Sequence, residues 1–260
     1  MRILPHAISG NIFLSKWRPY AWLALAVLAV YFRSVGFGFT NLDDNALIIN
    51  NYPFLSNVSN IVNAFGQKVF SHSVLPYYRP ILTVSFILDA NLGGVGPFIY
   101  HLDNVLIHIL ATSLVYLFLI RIGLAKRLSF VFSLIFAVHP ALVPAVVWIP
   151  GRNDSLLAVF ALLSFVSFVD FLKRGGWFRY ISHILFFIVA LFTKESALML
   201  VILTGLYGIL FYRRTVLSRT GLKLAAGYIL TVSLWYAARS MATAGRSEEH
   251  TSELQSHHPI

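Results

Sequence analysis

Two adjacent carboxylates, Asp43 and Asp44, stand in the run Phe39-Thr40-Asn41-Leu42-Asp43-Asp44-Asn45, just after the first apolar segment of the chain. A hydrated turn, in which Asn and Asp bond their own backbone, accounts for such a run. A catalytic reading stands beside it. In extended chain neighbouring side chains point opposite ways, so one carboxylate would face a cavity while the other bonds backbone or binds a cation. One base suffices for transfer from a sugar phosphate. Phosphate leaves without protonation, and the enzyme need only deprotonate the acceptor and stabilise the developing negative charge. Glycosidases need two carboxyls at a set separation. Cations suited to the phosphate are Arg79 in Tyr77-Tyr78-Arg79-Pro80, Arg152 in Pro150-Gly151-Arg152-Asn153-Asp154, and Lys194 in Thr193-Lys194-Glu195-Ser196. Arg grips phosphate oxygens bidentately, whereas Lys is a point charge. Each of the three, taken alone, also fits a cation snorkelling at the end of a span.

His101, Asn104 and His108 recur at i, i+3 and i+7, so they share one helix face, with Asp103 beside them. Interhelical hydrogen bonding and the polar wall of a substrate cavity both fit this face. The two His are two turns apart, about 10 Å along a helix, and cannot both bind one ion without strain. No metal or other cofactor is expected. His139-Pro140 and Pro144 interrupt an apolar segment and predict irregular backbone at membrane depth, which is tolerated where it is buried or lines a cavity. The same cavity is the economical choice. His183 is read as a satisfied packing residue. The sequons Asn57-Val58-Ser59 and Asn153-Asp154-Ser155 matter only on a eukaryotic lumenal face.

The elements that must position these residues are membrane spans. The 260 residues are 58% hydrophobic and 12% charged, with a mean hydropathy of +0.74, where a soluble domain carries about a quarter charged residues. A separate soluble domain is excluded. The net charge of +10 is no sign of nucleic acid, because the cations flank apolar segments, where they set topology. The absence of cysteine excludes disulfides, thiolate catalysis and Cys-bound metal. Apolar runs at residues 19–39, 99–120, 128–149, 155–172, 180–192, 197–212 and 222–238 predict an all-α integral membrane bundle of about seven spans. With the N-terminus in the cytoplasm, thirteen cations fall inside. Only Arg33, Lys68, Arg79, Arg152, Lys194 and Arg239 fall outside, as the positive-inside rule requires.

A large outer loop follows the first span, over residues 40–98. Within it Val58, Ile61, Val62, Phe65 and Val69 lie at helical spacing and predict a membrane-surface helix over 58–69. A second apolar piece, 81–92, is too short to span and is expected to lie along or dip into the outer leaflet. Six of the seven acids before residue 246 lie at the outer side; Asp170 is the exception, expected to pair with Lys173 and Arg174 on its own helix. The polar string 246–260 reads, back through the genetic code, as a translated sequencing-library adapter. Residues 1–245 are then one membrane domain, incomplete at its C-terminus, and the natural protein is expected to be longer.

The ordered set Asp43-Asp44, Tyr78-Arg79-Pro80, Gly96-Pro97 followed by His101, Asn104 and His108, then His139-Pro140 to Gly151-Arg152-Asn153-Asp154, and Lys194-Glu195 resembles a known family. It is similar to the membrane part of the transmembrane and tetratricopeptide-repeat O-mannosyltransferases and their bacterial relatives, among the GT-C glycosyltransferases. The match extends over residues 17–212. The resemblance implies a GT-C-like fold and a polyprenyl (dolichyl) phosphate sugar as donor. It implies inverting transfer to a Ser or Thr hydroxyl, or another hydroxyl of a protein or glycan acceptor, on the periplasmic or lumenal face of a bacterial inner membrane or an endoplasmic reticulum membrane. It places the catalytic carboxylate at Asp43 and Asp44. Donor and acceptor sites fall to Arg79, His101, Asn104, His108, His139, Arg152, Asp154, Lys194 and Glu195. The membrane lipid is a further partner. Pro144 departs from the family pattern, which has Glu between His139-Pro140 and Trp148, and this bears on acceptor choice. A polytopic transporter or flippase, or an inactive membrane scaffold, is the alternative; polar residues running right through the membrane would favour transport.

Overall fold

The computed structural model of the chain describes residues 12–41, 43–69 and 77–244; the string 246–260 lies outside them. Among the described residues all regular structure is helical. Helix α1 (Arg18–Tyr31) continues as a 3-10 turn to Gly36 and is followed by the short helices α2 (Tyr52–Leu55) and α3 (Asn60–Asn63). Then come α4 (Pro80–Gly93), α5 (Pro97–Arg121), α6 (Lys126–Val138), α7 (Val143–Val147) and α8 (Arg152–Arg174). The described residues close with α9 (Trp177–Thr193), α10 (Met199–Val216) and α11 (Arg219–Ala244). Pro80 and Pro97 open their helices, where a fixed φ is preorganised and no N–H is lost. Gly175, at φ +64, stops α8 in a conformation that other residues resist.

Helix α5 is the central post, packed by α1, α6 and α8; α9 lies along α8, and α11 closes over α9 and α10. One core cluster joins α8 to α11 through Phe168, Val169, Phe187, Leu191, Leu200 and Tyr228. Another joins α1 to α5, α6 and α7 through Val27, Tyr31, Val105, Ala137 and Val146. The outward faces stay apolar, as at Leu210, Phe211 and Ile229, which is the surface a helix presents to lipid.

Four helical segments are long and apolar enough to cross a membrane: Arg18–Gly36, Pro97–Arg121, Ile149–Arg174 and Glu195–Val216. A fifth is the bent pair Lys126–Val138 and Pro140–Val147, with a 52° break at the predicted His139-Pro140 interruption. The other two runs read as spans are helical but do not meet that test. Helix α9 has 17 residues, and α11 carries Lys223 and Arg239 with polar residues between them.

Two expectations need correction. The helix over 58–69 is confined to Asn60–Asn63 and a 3-10 turn, Ala64–Gly66; Asn57 folds back on Ser59 and starts the turn late. Asp170 does not pair with its own helix. The C-terminal ends of α5 and α8 lie side by side, so the Arg121 guanidinium reaches Asp170 across them at 2.5 Å, while Lys173 bonds the Arg121 carbonyl. His183 is fully buried and satisfied, its ring nitrogens 2.8 Å from the hydroxyls of Ser164 and Tyr228.

Candidate functional site

The site lies at one end of the bundle, where α1 and α9 finish, α7 leads into α8, and α5 begins. Backbone chemistry shapes this end. Trp148 is extended, Ile149–Gly151 form a 3-10 turn, and α8 starts at once at Arg152. Gly151 makes this possible: a Cβ there would lie 2.0 Å from the carbonyl oxygen of Pro144, so any side chain would drive α7 from α8. Lys194 is likewise extended, between the end of α9 and the 3-10 turn Glu195–Leu198. Arg79 precedes Pro80, which holds the preceding residue away from helical geometry.

These three breaks and the loop after α1 enclose a cavity of about 280 Å³, lined by Asp43, Tyr77, Arg79, Trp148, Asn153, Asp154 and Lys194 among others. Arg79 grips Glu195 with two donors, Nη2 to Oε1 at 3.0 Å and Nε to Oε2 at 3.4 Å, and its guanidinium lies 4.6 Å over the Tyr77 ring. Lys194 contacts the Asp154 carboxylate, with Asn153 Oδ1 at 3.5 Å. Each pocket cation therefore has a carboxylate and spare donors: Arg carries five N–H groups and Lys three. The Trp148 indole N–H is buried without a partner. On α11, Arg239 lies over Trp235 and adds a positive field at Glu195.

The acidic pair divides. Asp43 is half-buried on the cavity wall. Asp44 is buried, and its Oδ2 accepts the Thr40 N–H at 2.6 Å and the Thr40 hydroxyl at 2.8 Å. One carboxylate on the cavity and one on the backbone is the expected division, although the backbone there is a helical turn, not an extended one.

Arg152 is elsewhere. It is fully buried, and its guanidinium meets Asp89 at 2.6 Å, Asp103 at 3.3 Å, the Asn104 side-chain oxygen at 2.6 Å, the Ser85 hydroxyl at 3.1 Å and the Tyr100 carbonyl at 2.7 Å. It ties α8 to α4 and α5 and so sets the next two residues, Asn153 and Asp154, on the cavity. Burial pushes the Asp89 carboxyl up to about 7 against the pull of Arg152, so this node of two acids and one cation is able to hold a proton in place of a net negative charge.

On the polar face of α5, Asn104 and His108 serve the broken span and its exit, and His101 serves the loop after α1. Asn104 donates to the Val146 and Trp148 carbonyls at 3.1 and 3.2 Å, His108 Nε2 lies 3.0 Å from the Ala137 carbonyl, and His101 Nε2 lies 3.4 Å from the Gly38 carbonyl. A kink frees carbonyls that would otherwise bond within the helix, and at membrane depth side chains must satisfy them. His139 is exposed, outside the cavity, where its Nδ1 accepts the Ala141 N–H at 3.2 Å and caps the turn. Of the expected site residues, Asp43, Arg79, Asp154 and Lys194 line one cavity, with Glu195 holding Arg79. His101, Asn104, His108 and Arg152 form its buried support.

Tyr77, Trp148 and Asn153 were missed, although each adjoins a motif residue. Asp89 was missed too; the signal was the scarcity of acids in an apolar chain. A second cavity, about 430 Å³, runs between α8 and α10 and is lined by apolar and aromatic residues including Ala161, Phe165, Leu203 and Tyr207.

The chain is similar to the protein O-mannosyl-transferase Tmtc1 of Drosophila melanogaster, 31% identical over 187 residues, which are 70% of this chain and 21% of that protein. It is 30% identical over 203 residues to the protein O-mannosyl-transferase TMTC3 of Mus musculus, 75% of this chain and 22% of that one. With the protein O-mannosyl-transferase TMTC1 of Homo sapiens the figure is 34% over 146 residues, 55% and 16% of the two chains. The resemblance drawn from the motifs thus extends over most of this chain, which spans about a fifth of the length of these curated relatives. No family model matches the chain, and no solved structure matches it.

Proposed function

We propose that this chain is the membrane-embedded catalytic region of a glycosyltransferase that moves mannose, or another hexose, from a polyprenyl phosphate carrier to a hydroxyl of a protein or glycan. The observation that carries the reading is the cavity that gathers a carboxylate, Asp43, with two cations, Arg79 and Lys194, from three distant parts of the chain. In the reaction the acceptor oxygen attacks the anomeric carbon and its proton passes to Asp43. The bond from that carbon to the phosphate oxygen breaks, and the lipid phosphate leaves with the electron pair. A single displacement inverts the anomeric centre. Arg79 and Lys194 meet the charge that grows on the leaving phosphate, using donors that Glu195 and Asp154 leave open. The Trp148 side chain forms part of the wall of the cavity that would hold the sugar. The apolar cavity between α8 and α10 suits the hydrocarbon chain of the carrier.

This reading takes the GT-C-like arrangement with all seven apolar segments crossing, α9 and α11 included, and α2 to α4 lying at the outer surface. The N-terminus is cytoplasmic and the cavity periplasmic or lumenal. The basic end of the bundle, with Arg121, Lys126, Arg127, Lys173 and Arg174, faces the cytoplasm. The test is transfer of labelled sugar from a panel of polyprenyl phosphate sugars in membranes holding a full-length protein and its Asp43→Asn/Asp44→Asn variant. Transfer lost in the variant, with insertion intact, supports the assignment and names the sugar; full transfer in the variant sinks it.

A further inference from the structure

The chain carries two Asn-x-Ser sequons, and their surroundings differ completely. Asn57 and Ser59 are exposed in the turn between α2 and α3, on the side of the bundle that holds the cavity. Asn57 Oδ1 accepts both the Ser59 N–H at 3.0 Å and the Ser59 hydroxyl at 2.7 Å. This Asx turn leaves the Asn57 amide nitrogen outward, and donation to Oδ1 draws electron density from the amide and acidifies its N–H. Asn153 and Ser155 are the opposite case. Both are buried in the first turn of α8, where Asn153 receives Lys194 and the Ser155 hydroxyl donates to the Ala145 carbonyl at 3.0 Å. An enzyme would have to unwind α8 to reach them.

We propose that Asn57 is a site of N-linked glycosylation in an endoplasmic reticulum and that Asn153 is not, a selection made by the fold between two equal motifs. The inference rests on the functional reading above in its lumenal form, with the loop facing the interior of an endoplasmic reticulum. The co-substrate is an oligosaccharide on a lipid diphosphate, delivered by the compartment's own transferase. The bond from the sugar's anomeric carbon to the diphosphate oxygen breaks, a bond to Asn57 Nδ2 forms, that nitrogen loses one proton, and the lipid diphosphate departs. A glycan at Asn57 would also keep the α2–α3 turn on the water side of the interface, beside the exposed apolar Val58 and Val62.

The experiment expresses this 260-residue chain in mammalian cells and reads its mobility before and after a peptide N-glycosidase. One glycosidase-sensitive step is expected, lost in Asn57→Gln and in Ser59→Ala, kept in Ser59→Thr and unchanged in Asn153→Gln. A glycan that persists in Asn57→Gln, or no glycan on the parent chain, overturns the proposal. The chain has no cysteine, so a single Gln67→Cys at an exposed loop position reports the side of the membrane separately, through an impermeant maleimide. Labelling only from the lumen with no glycan overturns the modification and leaves the topology standing. Labelling from the cytoplasm overturns both.

Discussion

Two charged regions lie within a few residues of one another in this protein and do opposite work. Around Arg152 all three guanidinium nitrogens are engaged: two carboxylates, a carboxamide, a hydroxyl and a carbonyl close on a guanidinium with no exposed surface. Around the cavity, Arg79 and Lys194 each hold one carboxylate at the edge of open space and keep donors free. The residue types are the same, so a cation's identity says little about its role. What separates support from recognition is the number of donors left unspent after folding. A buried guanidinium stripped of its partners, or the reverse, leaves charge uncompensated in low dielectric, which is why the closed node cannot open to admit a phosphate.

That contrast predicts where substitutions act. The largest effect is expected for Arg152→Met, which strands Asp89 and Asp103 and lowers stability by about 3–5 kcal/mol, read from the unfolding midpoint in mixed micelles. A midpoint equal to the parent's, with donor binding lost, would move Arg152 to the recognition side and break the comparison. Next is Asp43→Asn, expected to slow sugar transfer about 10²–10⁴-fold while the midpoint stays put; a matching fall in stability would make Asp43 part of the support. For Arg79→Gln, loss of charge-assisted bonds of about 1.5–3 kcal/mol predicts a rise in the donor KM of about tenfold or more, with a smaller change in kcat. The smallest effect belongs to Tyr228→Phe. It removes bonds to His183 and Thr204 far from the cavity at a cost of about 1 kcal/mol, and transfer rates should not move.

The sequence made part of this legible. The His139-Pro140 break was visible because proline cannot continue a helix, and the 52° bend stands there. The shared face of His101, Asn104 and His108 was visible from spacing, but its carbonyl partners were not, because they belong to other segments and backbone carbonyls carry no sequence signal. Arg152 and Arg79 looked alike as cations after short motifs; only the fold brings Asp89, from a segment with no motif of its own, onto one and not the other. Asp170 taught the same lesson, since Lys173 and Arg174 lay at ideal spacing and lost to Arg121 across the helix interface.

By itself, the sequence determined that the chain is a helical membrane protein, where its long apolar segments run, which end is basic, and which dozen polar residues have any claim on chemistry. Those follow from local composition and periodicity, which the solvent reads directly. Tertiary structure alone decided which of those residues share a cavity, which carboxylate of the acidic pair faces it, which arginine is walled in and which sequon stays open. These depend on distances between segments far apart in the chain and on how many hydrogen-bond donors remain once those segments have met.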